Sequence, residues 1–287
     1  MLDQITPIIL TYNEAANIRR TLEPLRWAQD IVVIDSFSDD MTLQIVSEFP
    51  QARVFQRRFD SLENQCNYAL KKIELFSEWV LALDADYVLT PEIVEEMKTL
   101  QPAVGINGFR AHFIYCVEGK RLRGSAYPPV TVLYRHKYAS YHQDGHAQRV
   151  VIQGEVQGFR WPILHDDRKP LSRWLRSQDI YMQQELQKLS SGNGEPIRLP
   201  DRLRKTRFLF PFVIFFYCLF VKGAISDGWA GVYYAFQRML AEILLALYLI
   251  EEYLRKPEVR DQKSEVSGHE KLAKGLIAKN VNRGGKA

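Results

Sequence analysis

The chain lacks the glycine-rich loops that bind phosphate in many nucleotide-binding proteins. Neither Gly-x-Gly-x-x-Gly nor Gly-x-x-x-x-Gly-Lys-Ser/Thr occurs in its 287 residues. This absence argues against the usual dinucleotide-binding and P-loop routes to phosphate recognition. A nucleotide site in this protein would have to use other groups.

Cysteine is also scarce. The three cysteines, Cys66, Cys116 and Cys218, are odd in number and show no metal-ligand spacing. They fit a reducing compartment better than a disulfide framework. The first thirty residues lack a charged region followed by an apolar stretch and a cleavage site, so no signal peptide is expected. These features predict a cytoplasmic location.

Uncharged apolar runs long enough to cross a membrane are absent as well. Phe208–Val221 has fourteen apolar residues, short of the roughly 18–20 that a span needs. Val232–Tyr253 is longer but contains Gln237, Arg238 and Glu242. Both runs are more typical of interfacial helices, and the basic residues before Phe208 favour an anionic membrane surface. The alternative is burial in a homo-oligomer interface across 208–253.

The net charge of +4 is unevenly distributed. Residues 254–287 contain nine Lys/Arg and four Asp/Glu, whereas the remainder contains 29 and 30. A basic tail suits an anionic membrane leaflet or a nucleic acid, or it is a solvated flexible terminus without a partner. Because the tail has no interleaved aromatic residues for base stacking, we expect no nucleic acid partner.

Strand-like and helical patterns alternate four times in the first hundred residues. The strands are expected at Ile5–Leu10, Ile31–Ile34, Arg53–Gln56 and Trp79–Asp84. This alternation predicts a parallel sheet built from right-handed βαβ units. Asn13 is a plausible N-cap of the first helix.

Beyond residue 100 the pattern changes. Strands are expected at Phe109–Val117, Val130–Tyr134 and Gln148–Ile152, and a long amphipathic helix at Leu171–Leu189. The fold class is therefore α/β, with a mixed sheet flanked by helices and a C-terminal apolar helical appendage. We expect a domain over 1–190, divided into halves 1–100 and 101–190. An apolar region over 200–253 and a basic flexible tail over 254–287 follow.

The apolar run that begins at Trp79 ends in two carboxylates, Asp84 and Asp86. In open α/β sheets, ligands bind outside the carboxyl ends of the strands. Carboxylates there can hold Mg²⁺ or Mn²⁺ together with substrate phosphates. The motif therefore predicts a site for a metal–diphosphate complex, and a simple strand-end turn is the alternative.

Four segments in order resemble the GT-A domain of family 2 glycosyltransferases. They are Pro7–Glu14, Val33–Asp40 with Thr42, Gln65–Asn67 and Leu83–Asp86. Later segments, His165–Lys169 and Lys222–Gly228, are similar in kind to those of bacterial lipopolysaccharide-core glucosyltransferases. The resemblance covers about residues 3–250 and implies a Rossmann-like GT-A fold.

The resemblance also implies a donor site. Asp86 would ligate the metal, His165 would complete the metal shell, and Asp84 would face the sugar or ribose. A UDP-sugar is the first expectation, although the turn at Phe37–Met41 departs from the usual glycine-containing sequence and leaves the nucleotide open. The implied nucleotide-sugar-binding residues are Thr11, Asn13, Glu14, Asp35, Ser36, Gln65, Asn67, Asp84, Ala85 and Arg168.

An acceptor hydroxyl benefits from a general base within hydrogen-bond reach. We favour Asp144, in Asp144-Gly145-His146, although Asp-Gly is equally a hairpin-turn signal. Asp166 and Asp167 are the alternatives, and acids before a helix also serve as N-caps. Arg168 and Lys169 could pair with the diphosphate or be surface charges.

The expected function is metal-dependent, inverting transfer of a hexose from a nucleotide sugar. The acceptor would be lipid-linked, a glycolipid or a polysaccharide, reached by a peripheral or monotopic enzyme at the cytoplasmic membrane face. One alternative is transfer to polyprenyl phosphate, whose anionic acceptor needs little help from a base. The other is a catalytically silent GT-A domain that serves as a scaffold or binding protein.

Overall fold

The computed structural model describes residues 1–144, 147–191, 204 and 209–281, with side chains for 1–142, 150–189, 204 and 209–255. The strands are β1 (Ile5–Thr11), β2 (Ile31–Asp35), β3 (Ala52–Gln56), β4 (Trp79–Asp84), β5 (Tyr87–Leu89), β6 (Ile106–Ala111), β7 (Phe113–Val117), β8 (Lys120–Arg121), β9 (Val130–Arg135), β10 (Ala139–Asp144), β11 (Ala147–Ile152), β12 (Glu155–Gly158) and β13 (Ile163–His165). The α-helices are α1 (Ile18–Leu22), α2 (Thr42–Val46), α3 (Leu62–Lys72), α4 (Pro91–Thr99), α5 (Leu171–Ser191), α6 (Phe210–Phe216) and α7 (Trp229–Val281).

The central sheet has seven strands in the order β12-β6-β9-β4-β1-β2-β3. The pairs β1–β2, β2–β3 and β1–β4 are parallel, whereas β9 is antiparallel to both β4 and β6. The predicted mixed α/β sheet is confirmed. β2 consists mainly of β-branched residues and is buried throughout, as expected for a strand with helices on both faces.

The strand order reverses at β1, since β2 and β3 lie on one side of it and β4 on the other. The carboxyl ends of β1 and β4 therefore flank a topological switch point, where open α/β sheets bind their ligands.

Two local predictions were wrong. The segment 109–117 is two strands rather than one, because the chain changes sheets at His112: β6 joins the central sheet and β7 pairs with β13. Asn13 does not cap a helix. It has a φ of 55° and its side chain accepts a hydrogen bond from the Asp39 N–H at 2.9 Å, while α1 begins only at Ile18.

The C-terminal apolar helical segment packs against the sheet domain. Leu122 lies in one buried cluster with Cys218, Leu219 and Tyr234. α7 then continues to Val281, through most of the segment that the charge pattern set apart.

Close backbone contact makes this junction sensitive to added volume. A Cβ on Gly124 would lie 2.0 Å from the Lys222 carbonyl oxygen. Because the obstacle is backbone, a Gly124→Ala substitution should lower the free energy of unfolding by about 3 kcal/mol. The measurement is denaturant unfolding followed by circular dichroism.

Gly158→Ala is the matched control, since its nearest neighbour would be the Arg110 carbonyl oxygen at 4.0 Å. We expect it to change stability by less than about 1 kcal/mol. Equal effects of the two substitutions would show that the junction is not closely packed.

Candidate active site

The polar ends of three strands meet at one edge of the sheet. Thr11 on β1 is in register with Asp35 on β2, and Leu10 is in register with Asp84 on β4. Asp86 follows in the turn between β4 and β5, where the Thr21 hydroxyl donates to the Ala85 carbonyl at 2.6 Å. The sheet thus brings the predicted donor residues to the switch point.

Asp86 and His165 form the centre of this edge. β13 pairs with β5 so that His165 lies opposite Tyr87, and Nε2 of His165 lies 3.2 Å from Oδ2 of Asp86. Both side chains are mostly buried. Oδ1 of Asp86 and Nδ1 of His165 have no hydrogen-bond partner among the described residues.

The two carboxyls of the motif differ electrostatically. Burial raises the pKa of Asp84, and the neighbouring Asp86 carboxylate raises it further. Burial opposes ionisation of Asp86 as well, but the His165 imidazolium holds the pKa of that carboxyl below its usual range. Burial lowers the pKa of His165, but the neighbouring Asp86 carboxylate outweighs this effect and raises it above its usual value.

These residues fit a hard divalent cation. The unpartnered Oδ1 of Asp86 leaves a carboxylate lone pair available in a buried position. An oxygen and a nitrogen 3.2 Å apart match adjacent ligands of an octahedral ion, whose bonds of about 2.1 Å place such ligands about 3 Å apart. Within the described ranges, no group of three or more His, Cys, Asp or Glu side chains forms a complete metal site. Phosphate and water would have to supply the other ligands.

Glu14 and Lys169 form a second charged pair beside the motif. Nζ of Lys169 donates to Oε1 of Glu14 at 2.5 Å and lies 3.7 Å from Oδ1 of Asp167. Burial raises the pKa of Glu14 to about 7, although Lys169 acts in the opposite direction. The region holds two basic side chains, Lys169 and His165, and four carboxyl groups, those of Glu14, Asp84, Asp86 and Asp167. This excess of carboxyl groups favours binding of an additional cation.

The Asn17 amide connects these groups. Its Nδ2 donates to Oε2 of Glu14 at 2.8 Å and to Oδ1 of Asp167 at 2.9 Å. Its Oδ1 accepts from the Arg168 N–H at 2.9 Å. Asn17 is not among the site residues predicted from the sequence, and only its position three residues after Glu14 could have suggested it.

Asp35 is turned into the protein. Its carboxylate accepts hydrogen bonds from the Thr11 hydroxyl at 3.1 Å, from Ser38 and from Gln56. The Asn13 N–H in turn donates to the Ser38 hydroxyl at 2.8 Å. Asp35 thus organises the turn that carries Asn13 towards the switch point.

The other residues expected to bind the donor occupy different places. Gln65 donates to the Ser36 hydroxyl at 2.9 Å. Asn67 holds the β10 backbone at Tyr141 through both of its amide atoms, at 3.0 and 3.1 Å. Asn67 therefore supports the hairpin that carries Asp144, whose side chain lies outside the described residues.

Asp166 and Arg168 are paired with each other rather than directed at Asp84 and Asp86. The Asp166 carboxylate accepts from Arg20 at 2.6 Å and from Arg168 at 2.8 and 3.0 Å. Because both of its oxygens are engaged by guanidinium groups, Asp166 is poorly placed to act as a base. Lys169, one residue further, is the cation that faces the carboxylates.

Three tyrosines surround the His165 ring. The ring centroids of Tyr87, Tyr115 and Tyr127 lie 5.3, 4.8 and 4.7 Å from that of His165, each edge to face. The Tyr87 and Tyr127 hydroxyls are 2.6 Å apart. We call these three residues the tyrosine cage. No sequence spacing relates them, because they come from β5, β7 and the segment before β9.

Comparison with known proteins shows what the N-terminal part of the chain is similar to. Residues 6–131 match the family model of glycosyl transferase family 2. A Rickettsia bellii protein named "uncharacterized glycosyltransferase" is 28% identical over 144 residues, which are 48% of each chain. A Rickettsia felis protein of the same name is 26% identical over 146 residues, 49% of this chain and 50% of the relative. The chain spans about half the length of these curated relatives.

A solved structure extends the similarity in fold. A mannosyltransferase from Pyrobaculum calidifontis, in complex with GDP-mannose and Mn²⁺, aligns with a TM-score of 0.51 and 12% identity. The alignment covers 86% of this chain and 87% of the mannosyltransferase. The predicted GT-A architecture is confirmed at the level of the fold.

The pairing of Asp166 with two arginines predicts a structural role for this carboxylate. An Asp166→Ala substitution would leave Arg20 and Arg168 without their partner. Since both arginines are about one-third exposed, we expect a loss of about 1–3 kcal/mol in the free energy of unfolding. Chemical denaturation measures this loss.

Asp60→Ala is the control, because Asp60 pairs with Arg57 at an exposed position. Exposed pairs contribute at most about 1 kcal/mol. If Asp166→Ala were no more destabilising than Asp60→Ala, the pairing of Asp166 with Arg20 and Arg168 would not stabilise the protein. Asp166 would then again be a candidate base.

Proposed function

We propose that this chain, whose residues 6–131 match the family model of glycosyl transferase family 2, moves a hexose from a nucleotide sugar to a lipid-linked or glycolipid acceptor. The reaction would depend on Mg²⁺ or Mn²⁺ and would invert the anomeric centre. A lipopolysaccharide-core type of acceptor agrees with the resemblance of His165–Lys169 to those enzymes. The proposed place of action is the cytoplasmic membrane face.

One observation carries the proposal most strongly. Asp86 presents a buried, unpartnered carboxylate oxygen at the switch point of the sheet, beside His165. A buried carboxylate oxygen without a hydrogen-bond partner is costly to keep, so a ligand for that oxygen is expected. A cation carrying a diphosphate supplies this ligand and also satisfies the local excess of negative charge.

The side chains have distinct tasks in this scheme. Asp86 and His165 would hold the metal, which supplies Lewis-acid stabilisation of the charge on the departing diphosphate. Lys169 lies close enough to the same region to pair with a phosphate oxygen. Asp84 faces the donor, and its raised pKa suits a carboxyl that shares hydrogen bonds with sugar hydroxyls.

The acceptor requires a base unless it is already anionic. Asp144 remains our first candidate, since Asn67 fixes the β10 backbone that leads to it. Asp167 is the second candidate, because only one of its oxygens has a described hydrogen-bond partner. Asp166 is engaged by arginines, as described above.

An apolar surface supports membrane contact. The aromatic side chains Phe212, Phe216 and Phe220 recur every four residues and are each more than half exposed, and Trp229 is 87% exposed. Aromatic residues of this kind insert into the interfacial region of a bilayer. Lys222, at the turn between Phe220 and Trp229, adds positive charge for anionic headgroups.

Contacts along α7 favour an interfacial position over a span. Trp229–Arg255 is long and apolar enough to cross a membrane. However, Glu242 on α7 pairs with Arg204, which also pairs with Glu185 on α5. A spanning α7 would draw these charges into hydrocarbon at considerable cost.

Release of nucleoside diphosphate tests the proposed reaction. Purified protein, membrane extract and a panel of UDP-, GDP- and dTDP-sugars with Mn²⁺ should give release of nucleoside diphosphate with one donor. An Asp86→Ala substitution should lower the rate by at least about 100-fold, because Lewis-acid stabilisation is worth several kcal/mol. Asp60→Ala should retain full activity.

The same assay separates the alternatives. Loss of activity in Asp144→Ala would identify the base, whereas retained activity in Asp144→Ala, Asp166→Asn and Asp167→Ala would favour polyprenyl phosphate as acceptor. Nucleotide binding without turnover on any acceptor would support the silent scaffold. Full activity of Asp86→Ala would contradict the metal assignment.

Vesicle co-sedimentation tests the membrane surface. The protein should bind vesicles that contain phosphatidylglycerol, more weakly at high salt. Replacing Phe216, Phe220 and Trp229 together by Ser should weaken binding at least tenfold. Burial of one such aromatic side chain contributes about 1.5–3 kcal/mol to the free energy of binding.

Phe76→Ser is the control, because Phe76 is 70% exposed and lies before β4, outside this surface. If the triple variant bound vesicles normally, the surface would not be the membrane contact. A wild-type dimer that becomes monomeric in the triple variant would instead assign the surface to an oligomer interface.

A further inference from the structure

We infer that the C-terminal apolar segment forms a wall of the catalytic site, and that Tyr234 and Asp227 are positioning residues for His165. This inference rests on the proposed function, because it concerns the same metal-side histidine. It goes further, because it assigns residues of the C-terminal segment a role in orienting His165.

The first step is how His165 is held. A metal-ligating histidine usually donates its second ring nitrogen to a carboxylate or carbonyl, which fixes the ring orientation. Nδ1 of His165 is buried and has no such partner among the described residues. Apart from the contact of Nε2 with Asp86, the ring is held by the tyrosine cage that packs around it.

The second step is what holds the cage. The Tyr234 ring on α7 packs against Tyr115 with centroids 4.9 Å apart. The Tyr234 hydroxyl also accepts a hydrogen bond from the Ala126 N–H at 2.9 Å, next to Tyr127 in the cage. One buried side chain of the C-terminal segment thus contacts both Tyr115 of the cage and the backbone next to Tyr127.

Asp227 fixes the same loop at a second point. Its Oδ2 accepts from the backbone N–H groups of Arg123 and Gly124, at 2.9 and 3.3 Å. Leu122, just before them, is buried in the cluster that includes Cys218 and Tyr234. The segment from Leu122 to Tyr127 is therefore anchored along its length to the C-terminal segment.

Packing leaves this junction little freedom. Across the junction, a Cβ on Gly124 would lie 2.0 Å from the Lys222 carbonyl oxygen. Within the C-terminal segment itself, a Cβ on Gly231 would lie 1.8 Å from the Ala224 carbonyl oxygen. Since the backbones are in direct contact, a shift of the C-terminal wall must move the loop that carries Tyr127. His165 then loses the packing that orients it towards Asp86.

The experiment compares Tyr234→Phe and Asp227→Ala with Tyr248→Phe. The first removes only the hydroxyl that accepts from Ala126, and the second removes the acceptor for Arg123 and Gly124. Tyr248 is on the same helix, about 21 Å further along at 1.5 Å per residue, and its hydroxyl contacts Gln183 and Asp179 of α5. All variants are compared at equal fractions folded.

Two measurements are made on the full chain without donor. Histidine-selective ¹³C labelling reports the His165 ring, assigned through His165→Gln, and electron paramagnetic resonance reports Mn²⁺ binding. We expect the His165 signals to shift or broaden in Tyr234→Phe and Asp227→Ala but not in Tyr248→Phe. Mn²⁺ affinity should fall about 10-fold in the same two variants, as for other supports of a metal ligand.

Unchanged His165 signals in both folded variants would overturn the inference whatever the enzyme does. Mn²⁺ affinity that falls equally in Tyr248→Phe would also overturn it, because a general loss of helix packing would then be the cause. Failure of the wild type to bind Mn²⁺ even when a nucleoside diphosphate is added would instead contradict the proposed function, while the His165 signals would still decide the role of Tyr234 and Asp227.

Discussion

Excess negative charge at the carboxyl edge of the sheet is the constraint around which the rest of this molecule is arranged. Asp84 and Asp86 are brought there by β4, and Glu14 and Asp167 come from loops on either side. Lys169 and His165 offset part of this charge inside the protein. The remaining negative charge and the unpartnered Asp86 oxygen both favour binding of the proposed cation.

A second layer of contacts keeps this arrangement in place. The Asn17 amide joins the loop after β1 to the segment after β13, and Asp166 ties that segment to Arg20. The tyrosine cage adds aromatic packing on the opposite side, supported from α7. The site is thus assembled from the N-terminal sheet, the segment after β13 and the C-terminal segment, so its integrity depends on nearly the whole described chain.

Much of the fold was predictable, because local patterns determine it. β2 and β4 are short apolar runs bounded by turn residues, and the parallel pairing of each with β1 follows from the intervening helices. Asp84 and Asp86 were recognisable because they end such a strand. Asn17 and Tyr234 were not, since their roles arise from contacts with residues more than a hundred positions away. The break at His112 was missed because Phe109–Val117 contains no glycine or proline to mark the change of sheet.

Anomalous diffraction from crystals soaked with Mn²⁺ and a nucleoside diphosphate tests the central claim most directly. The account predicts one strong manganese peak within bonding distance of Asp86 and His165, with diphosphate oxygens on its open side and Lys169 nearby. The peak should vanish in Asp86→Ala crystals. Nucleotide bound at the switch point with no manganese peak beside Asp86, or a peak at another site, would contradict the account.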